Sequence, residues 1–239
     1  MKKTIIALAL LAAVAVTAYS QRATIAARLM EKGLESLLGA DIVAGLEDGL
    51  HLALCGAGGP LPAPNASGPC VAVVAGKQLF IVDAGTDGPR NLARMGYQPG
   101  TVKGVFLTHF HSDHIDGLGE LSTLRWAGGD NATPLPVYGP RGVERVVDGF
   151  NAAYAQDFSY RHEHHGDLVA PMSAAGMQAV AFDKPPMGEL TLVYEGGDLK
   201  VEMLAVDHSP VDPAVGYRFS SKGRSVLFSG DSAKQADGG

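Results

Sequence analysis

At 239 residues with 46% hydrophobic content, the chain holds enough apolar material for one large core or two closely packed halves, which excludes a disordered or fibrous protein. Its 31 glycines and 14 prolines, with only 7% aromatics, suit a loop-rich α/β protein. The formal net charge is -6 and no segment shows a basic stripe, so a nucleic-acid partner is unfavoured and a small or neutral substrate fits better.

In chain order, Lys2 and Lys3 precede the apolar run "TIIALALLAAVAVTAY", and Ala18 and Ser20 supply small residues. Residues 1–20 therefore read as a secretory signal cleaved after Ser20, or as an uncleaved N-terminal anchor that would tether the protein to a membrane. The run is too short and too weakly flanked for an ordinary membrane span. The body of the protein is expected outside the cytoplasm, periplasmic or secreted. Residues 21–49 form an amphipathic helical lead-in, with Ile25, Leu29, Leu34 and Leu37 near helical spacing. Residues 50–239 are expected to form one domain.

"LHLALCG", "CVAVVAG" and "QLFIVDAG" are short strands, the last two joined by an "AGKQ" turn. Cys55 and Cys70 flank a glycine- and proline-rich loop, and either a disulfide or two buried thiols fits that spacing. "PRNLARMG" is a short helix, "VKGVFLTH" a buried strand, "HIDGLGELSTLRW" a helix, "LPVYGP" a strand and "RGVERVVDGFNAAYAQ" a helix. Trp126 is expected in the core, and His162, His164 and His165 in a solvated loop after the helix. The last third is strand-rich: "MQAVAF", "ELTLVYEG", "LKVEMLAV", "AVGYRFSS" and "SVLFSGD". Alternating strands and helices followed by hairpins predict stacked sheets with helices outside.

The chemistry is concentrated where "VKGVFLTH" ends, in "THFHSDHIDG". In an extended loop the side chains at i and i+2 leave the same side, so His109 and His111 can grip one metal ion. Asp113 and His114 follow where the chain turns into a helix and can reach a second ion. Imidazole with carboxylate suits zinc, with manganese and iron as competitors. His208 and Asp231 each follow an apolar strand, adding a third imidazole and a carboxylate able to bridge two ions.

The set "THFHSDHIDG", "VDHSPVDPAVGYR" and "LFSGD", with "VDAG" and "LPVYGPRG", resembles the metallo-β-lactamase superfamily in its ribonuclease Z and arylsulfatase-like branch, from about Leu50 onward. That resemblance implies an αββα sandwich of two mixed sheets with outer helices. It implies one or two zinc ions, the first held by His109, His111 and His208, the second by Asp113 and His114, with Asp231 bridging. Asp83, Thr108 and Gly117 would support the metal loop. The implied reaction is hydrolysis of an ester-type bond (phosphodiester, sulfate ester, carboxylic ester or lactone) by a metal-activated water, with Asp113 as the catalytic group that positions it and shuttles its proton.

Departures from the family pattern matter as much. The family closes its second site with a later histidine and ribonuclease Z carries one more, whereas "SAKQADGG" contains neither. The C-terminal part of the fold is accordingly expected to be missing and the second metal position depleted. Ribonuclease Z also holds tRNA with an inserted arm, and only a "SKGR" turn separates the strands between His208 and Asp231. A small-substrate hydrolase is thus the first expectation, a ribonuclease Z-like enzyme acting on RNA 3′ ends the second, and a non-catalytic metal-binding fragment the third. The sequence leaves homodimerisation open.

Overall fold

The computed structural model describes residue 17, residues 19–38 and residues 41–233, and the chain divides into two compact units between residues 40 and 41. In the first, α1 (Arg22–Leu38) exposes Ile25, Leu29 and Met30. Residues 1–16, with most of the expected signal, and residues 234–239, on which the expected loss of later ligands turns, lie outside the described residues. Among the described residues no helix is long and apolar enough to cross a membrane.

The second unit begins with α2 (Ile42–Gly45), capped by the Asp41 side chain, which accepts from Val43 N–H. Lys77 Nζ donates to the carbonyls of Val43, Ala44 and Leu46, placing a cation at the negative end of that short helix. Strands β1 (Leu50–Gly56), β2 (Cys70–Ala75) and β3 (Gln78–Val82) form an antiparallel meander. The turn between β2 and β3 is Gly76-Lys77, with Gly76 at φ 61°, a conformation glycine adopts at little cost. After α3 (Gly88–Arg94), the sheet continues in parallel through β4 (Val102–Phe106), β5 (Leu135–Pro140) and β6 (Met177–Phe182). The order is β1-β2-β3-β4-β5-β6.

A second sheet, ordered β10-β9-β8-β7, is built from β7 (Leu190–Gly196), β8 (Leu199–Ala205), β9 (Val215–Ser221) and β10 (Arg224–Phe228). All three of its pairings are antiparallel, so only the six-stranded sheet is mixed. The reason is connectivity: short turns join its strands, except that the 206–214 loop separates β8 from β9, and parallel pairing would need crossover segments.

Strand alternation sorts side chains into two layers. Val73, Phe80, Val82 and Phe106 face the second sheet and meet Val201, Met203, Val215, Tyr217 and Phe219. Phe106 is the hub, stacked on Tyr138 with ring centroids 4.6 Å apart and edge-on to Tyr217 and Phe219 at 5.3 and 5.1 Å. On the other face, Leu79, Ile81, Val105 and Leu107 pack with Leu92 of α3, Leu118 and Leu121 of α5 (Leu118–Gly128), and Val143 and Val147 of α6 (Val143–His165). Trp126 is buried against Ala170 and Ala174, its Nε1 donating to the Pro171 carbonyl at 2.7 Å.

Two segments differ from the sequence reading. The helix expected over "HIDGLGELSTLRW" is broken into α4 (Ser112–Ile115) and α5, because Gly117 N–H donates to the Ala84 carbonyl at 2.8 Å instead of continuing the helical ladder. The histidines expected in a loop form the last turn of α6, which ends where Gly166, at φ 69°, returns its N–H to the His162 carbonyl. His162 Nδ1 is within 2.9 Å of the Ala170 carbonyl, so this turn is tied to the following loop.

Cys55 and Cys70 are bonded, which decides between the two readings of their spacing. The bond closes a segment with a sequence separation of 15, and a loop of that size stabilises a fold by about 3 kcal/mol through the entropy it removes from the unfolded chain. We expect the unreduced, denatured protein to show no thiol to Ellman's reagent. The double variant Cys55→Ser, Cys70→Ser should lose about 3 kcal/mol in denaturant titration. Two reactive thiols before reduction would contradict the bond.

Candidate metal centre

β3 and β4 run parallel, so their C-terminal ends emerge together and carry Asp83 and the 107–114 segment to one edge of the sheet. Asp83 is buried and has φ 55°, a left-handed backbone that a non-glycine residue holds only at a cost of about 1–3 kcal/mol. Its carboxylate explains why the cost is met. Oδ1 accepts Thr108 N–H at 2.8 Å, and Oδ2 accepts the Thr108 hydroxyl at 2.8 Å and His114 Nδ1–H at 2.9 Å. Hydrogen bonds to a charged group contribute about 1.5–3 kcal/mol each, so three of them outweigh the strain.

This network also sets the tautomers. With its proton given to Asp83, the Thr108 hydroxyl can only accept from His109 Nδ1–H, at 3.0 Å, which leaves His109 Nε2 bare. His114, donating through Nδ1, likewise leaves Nε2 bare. His109 Nε2 and His111 Nδ1 lie 3.0 Å apart, and the His208 ring stands 4.9 Å from His109 and 5.3 Å from His111, centroid to centroid. The Nε2 atoms of His114 and His208 are buried without a hydrogen-bond partner. Ring nitrogens gathered this closely, two of them buried and unpartnered, are a donor set that a divalent cation fits.

Among the described residues two groups of three can hold an ion, His109-His111-His208 and His109-His114-Asp231, the ligand atoms of each lying within 4.8 Å of one another. His162, His164 and His165 belong to neither. Asp113 is buried, with its carboxylate 3.7 Å from His114 Nε2, and Asp231, half-exposed, reaches the same atom at 3.6 Å. Of the six residues the sequence reading assigned to one site, five fall in these two groups, and Asp113 belongs to neither, standing beside His114. The sharing of His109 between both groups was not legible from spacing.

Loop packing holds these groups in place. The Thr108 carbonyl accepts Val215 N–H at 2.9 Å and the Leu107 carbonyl accepts the Tyr217 hydroxyl at 2.7 Å, so β9 is fastened to the metal loop. Val211 N–H returns to the His208 carbonyl at 2.8 Å, and Ala233 N–H donates to the Asp207 carbonyl at 2.7 Å, bringing the segment after Asp231 against the His208 loop. On the opposite side Ala84 N–H donates to the His114 carbonyl at 2.8 Å, and a methyl group at Gly85 would collide with the Asp113 carbonyl. Gly85 and Tyr217 escaped the sequence reading; the glycine of "VDAG" was the available signal for the first, and nothing local announced the second.

Burial, with the neighbouring imidazole charge of His114 next in size, pulls His109 down to about 4, so it is neutral and ready to ligate at pH 7. Burial opposes charge on His114 too, but the hydrogen bond and charge of Asp83, with Asp231 and Asp113, outweigh it and raise this imidazole above its ordinary value. The site is therefore electrostatically split. One imidazole sits in a field that repels a proton, and the other faces carboxylates that attract a cation.

Comparison with known proteins accords with this geometry. The family model of the metallo-beta-lactamase superfamily matches residues 64–239. Ribonuclease Z of Mycobacterium bovis is 34% identical over 184 residues, covering 76% of this chain and 62% of the relative, and that of Mycobacterium marinum is 35% identical over 188 residues, covering 76% and 63%. The chain thus spans less than two thirds of the length of these relatives. Among solved structures, human tRNase Z, short form, shares the fold with a TM-score of 0.56 at 20% identity, over 75% of this chain and 68% of that one. The metallo-beta-lactamase fold protein YhfI from Bacillus subtilis does so with a TM-score of 0.54 at 22% identity, over 80% and 65%. With the family model covering most of the chain and the histidine cluster at the expected strand ends, this protein belongs to the metallo-beta-lactamase superfamily.

Proposed function

We propose that the chain is a divalent-metal-dependent phosphodiesterase of the ribonuclease Z type. The observation that carries this reading is the likeness to ribonuclease Z relatives over 76% of this chain, together with a family-model match over residues 64–239, which hold all six candidate ligands. It displaces the small-substrate hydrolase that the sequence alone put first. His109, His111 and His208 would hold the principal ion, and His109, His114 and Asp231 would form the competing second position, with Asp113 beside His114. Zinc suits this imidazole-rich set best. A bound divalent ion supplies Lewis acidity and lowers the pKa of a water molecule toward 7. Asp113 is our choice for the carboxylate that takes the proton of the attacking water. Asp83 and Thr108 orient the imidazoles, their hydrogen bonds to the Nδ1 atoms of His114 and His109 leaving each Nε2 turned toward the site.

A second reading, hydrolysis of a small ester, sulfate ester or lactone, is favoured by two observations. β9 and β10 are joined by the tight turn at Lys222-Gly223, where an RNA-holding arm would be inserted, and the chain is net acidic at -6. The substrate test is a side-by-side assay of the zinc-loaded protein on a 3′-extended tRNA precursor, bis(p-nitrophenyl) phosphate and p-nitrophenyl acetate. We expect phosphodiester cleavage that is abolished by chelation. Turnover of the carboxylic ester alone would move the assignment to the second reading, and turnover of nothing by the metal-loaded protein would reduce the chain to a metal-binding one.

Metal content follows from the ligand geometry. His109 Nδ1 is committed to Thr108 and a ring nitrogen has one lone pair, so His109 serves one ion at a time although both groups draw on it. We expect elemental analysis to find about one zinc per chain, set by these competing groups. His109→Ala should lose it, and Asp83→Ala should weaken zinc binding by about 10–100-fold through misorientation of His109 and His114. A stable ratio of two zinc ions per chain would overturn the competition.

A further inference from the structure

Strands β3, β4, β5 and β6 are parallel, so the residues that follow each of them open on the edge that carries the histidines. After β5 comes Arg141, and after β6 come Asp183 and Lys184. Arg141 is committed to Asp183 at 2.7 Å and to Glu144 at 3.6 Å. Lys184 instead reaches across to the loop that delivers His208. Its Nζ pairs with Asp212, four residues beyond His208 in a loop pinned by the Val211 to His208 backbone bond.

Lys184 therefore stands beside a ligand loop at the strand-end edge, with its side chain about two-thirds covered. An ammonium has three donors, and among the described residues the partner recorded for it is the single carboxylate of Asp212, itself largely exposed. A cation so placed can offer its remaining donors to an anionic oxygen arriving at the site.

We propose that Lys184 is the anion-recognition residue of this site, binding a non-bridging oxygen of a phosphodiester substrate, with Asp212 as its counter-ion in the free protein. The inference rests on the phosphodiester reading above. It makes the Lys184-Asp212 pair a determinant of substrate class, favouring anionic esters over neutral ones. A purely structural ion pair makes a different statement. Breaking such a pair from either side would have the same effect, whereas recognition requires that removing the cation and removing its competitor act in opposite directions.

The experiment compares zinc-loaded wild type, Lys184→Met, Lys184→Arg and Asp212→Asn by the ratio of KM for bis(p-nitrophenyl) phosphate to KM for p-nitrophenyl acetate, and by inhibition with inorganic phosphate. Losing one charge-assisted contact should raise the ratio about tenfold in Lys184→Met and weaken phosphate inhibition equally, with Lys184→Arg restoring most of both. Asp212→Asn should lower the ratio and strengthen phosphate inhibition. Shifts of the two half-pair variants in the same direction, or no shift in either, would overturn the proposal. Should the wild type turn over no phosphodiester, that failure belongs to the functional reading. Calorimetric binding of inorganic phosphate to the same variants then decides Lys184 separately: weaker in Lys184→Met and tighter in Asp212→Asn supports it, and equal affinity rejects it.

Discussion

Everything at the candidate metal centre hangs on one buried carboxylate. Asp83 leaves β3 in a strained left-handed conformation and offsets that strain by accepting three hydrogen bonds, two from Thr108 and one from His114. Because Thr108 in turn accepts from His109, a single carboxylate dictates which nitrogen of two imidazoles carries the proton and which faces the site. A residue outside both groups of converging ligand atoms thereby fixes the chemistry of those that belong to them.

The two sheets contribute differently. The parallel half of the six-stranded sheet brings Asp83 and the 107–114 segment to a common edge, which no antiparallel arrangement of β3 and β4 could do. The antiparallel sheet supplies His208, and it is held to the first by the aromatic cluster around Phe106 and by two hydrogen bonds, from Val215 to Thr108 and from Tyr217 to Leu107. Those two bonds end on Thr108 and Leu107, the two residues that precede His109. Packing between sheets and assembly of the ligand set are thus one event: a shift of β9 against β4 would separate His208 from His109 and His111.

Much of this was legible beforehand because it is local. The strands of the second unit announce themselves as apolar or alternating runs punctuated by glycine, proline or charged residues, and a loop with histidines at i and i+2 places both side chains on one side whatever surrounds it. The misreadings share a cause. The helix after the metal loop broke at Gly117 because a backbone donor found Ala84, distant in sequence, and α6 ran on through His165 because the following loop supplied a partner for His162. Periodicity carries no information about either partner.

The sequence by itself determined the fold class and pointed to the five residues whose ligand atoms converge, since metal-ligating side chains at strand ends are written in consecutive residues and in hydrophobic spacing. Only the tertiary structure decided how they meet. That Cys55 and Cys70 bond, that His109 is shared by both ligand groups, that Asp83 orients His114 and that Lys184 crosses to Asp212 are all contacts between segments whose separation is set by strand register and sheet packing. Such contacts arise when hydrophobic burial brings the sheets together, and a polar group finds its partner only after that burial has chosen its neighbours.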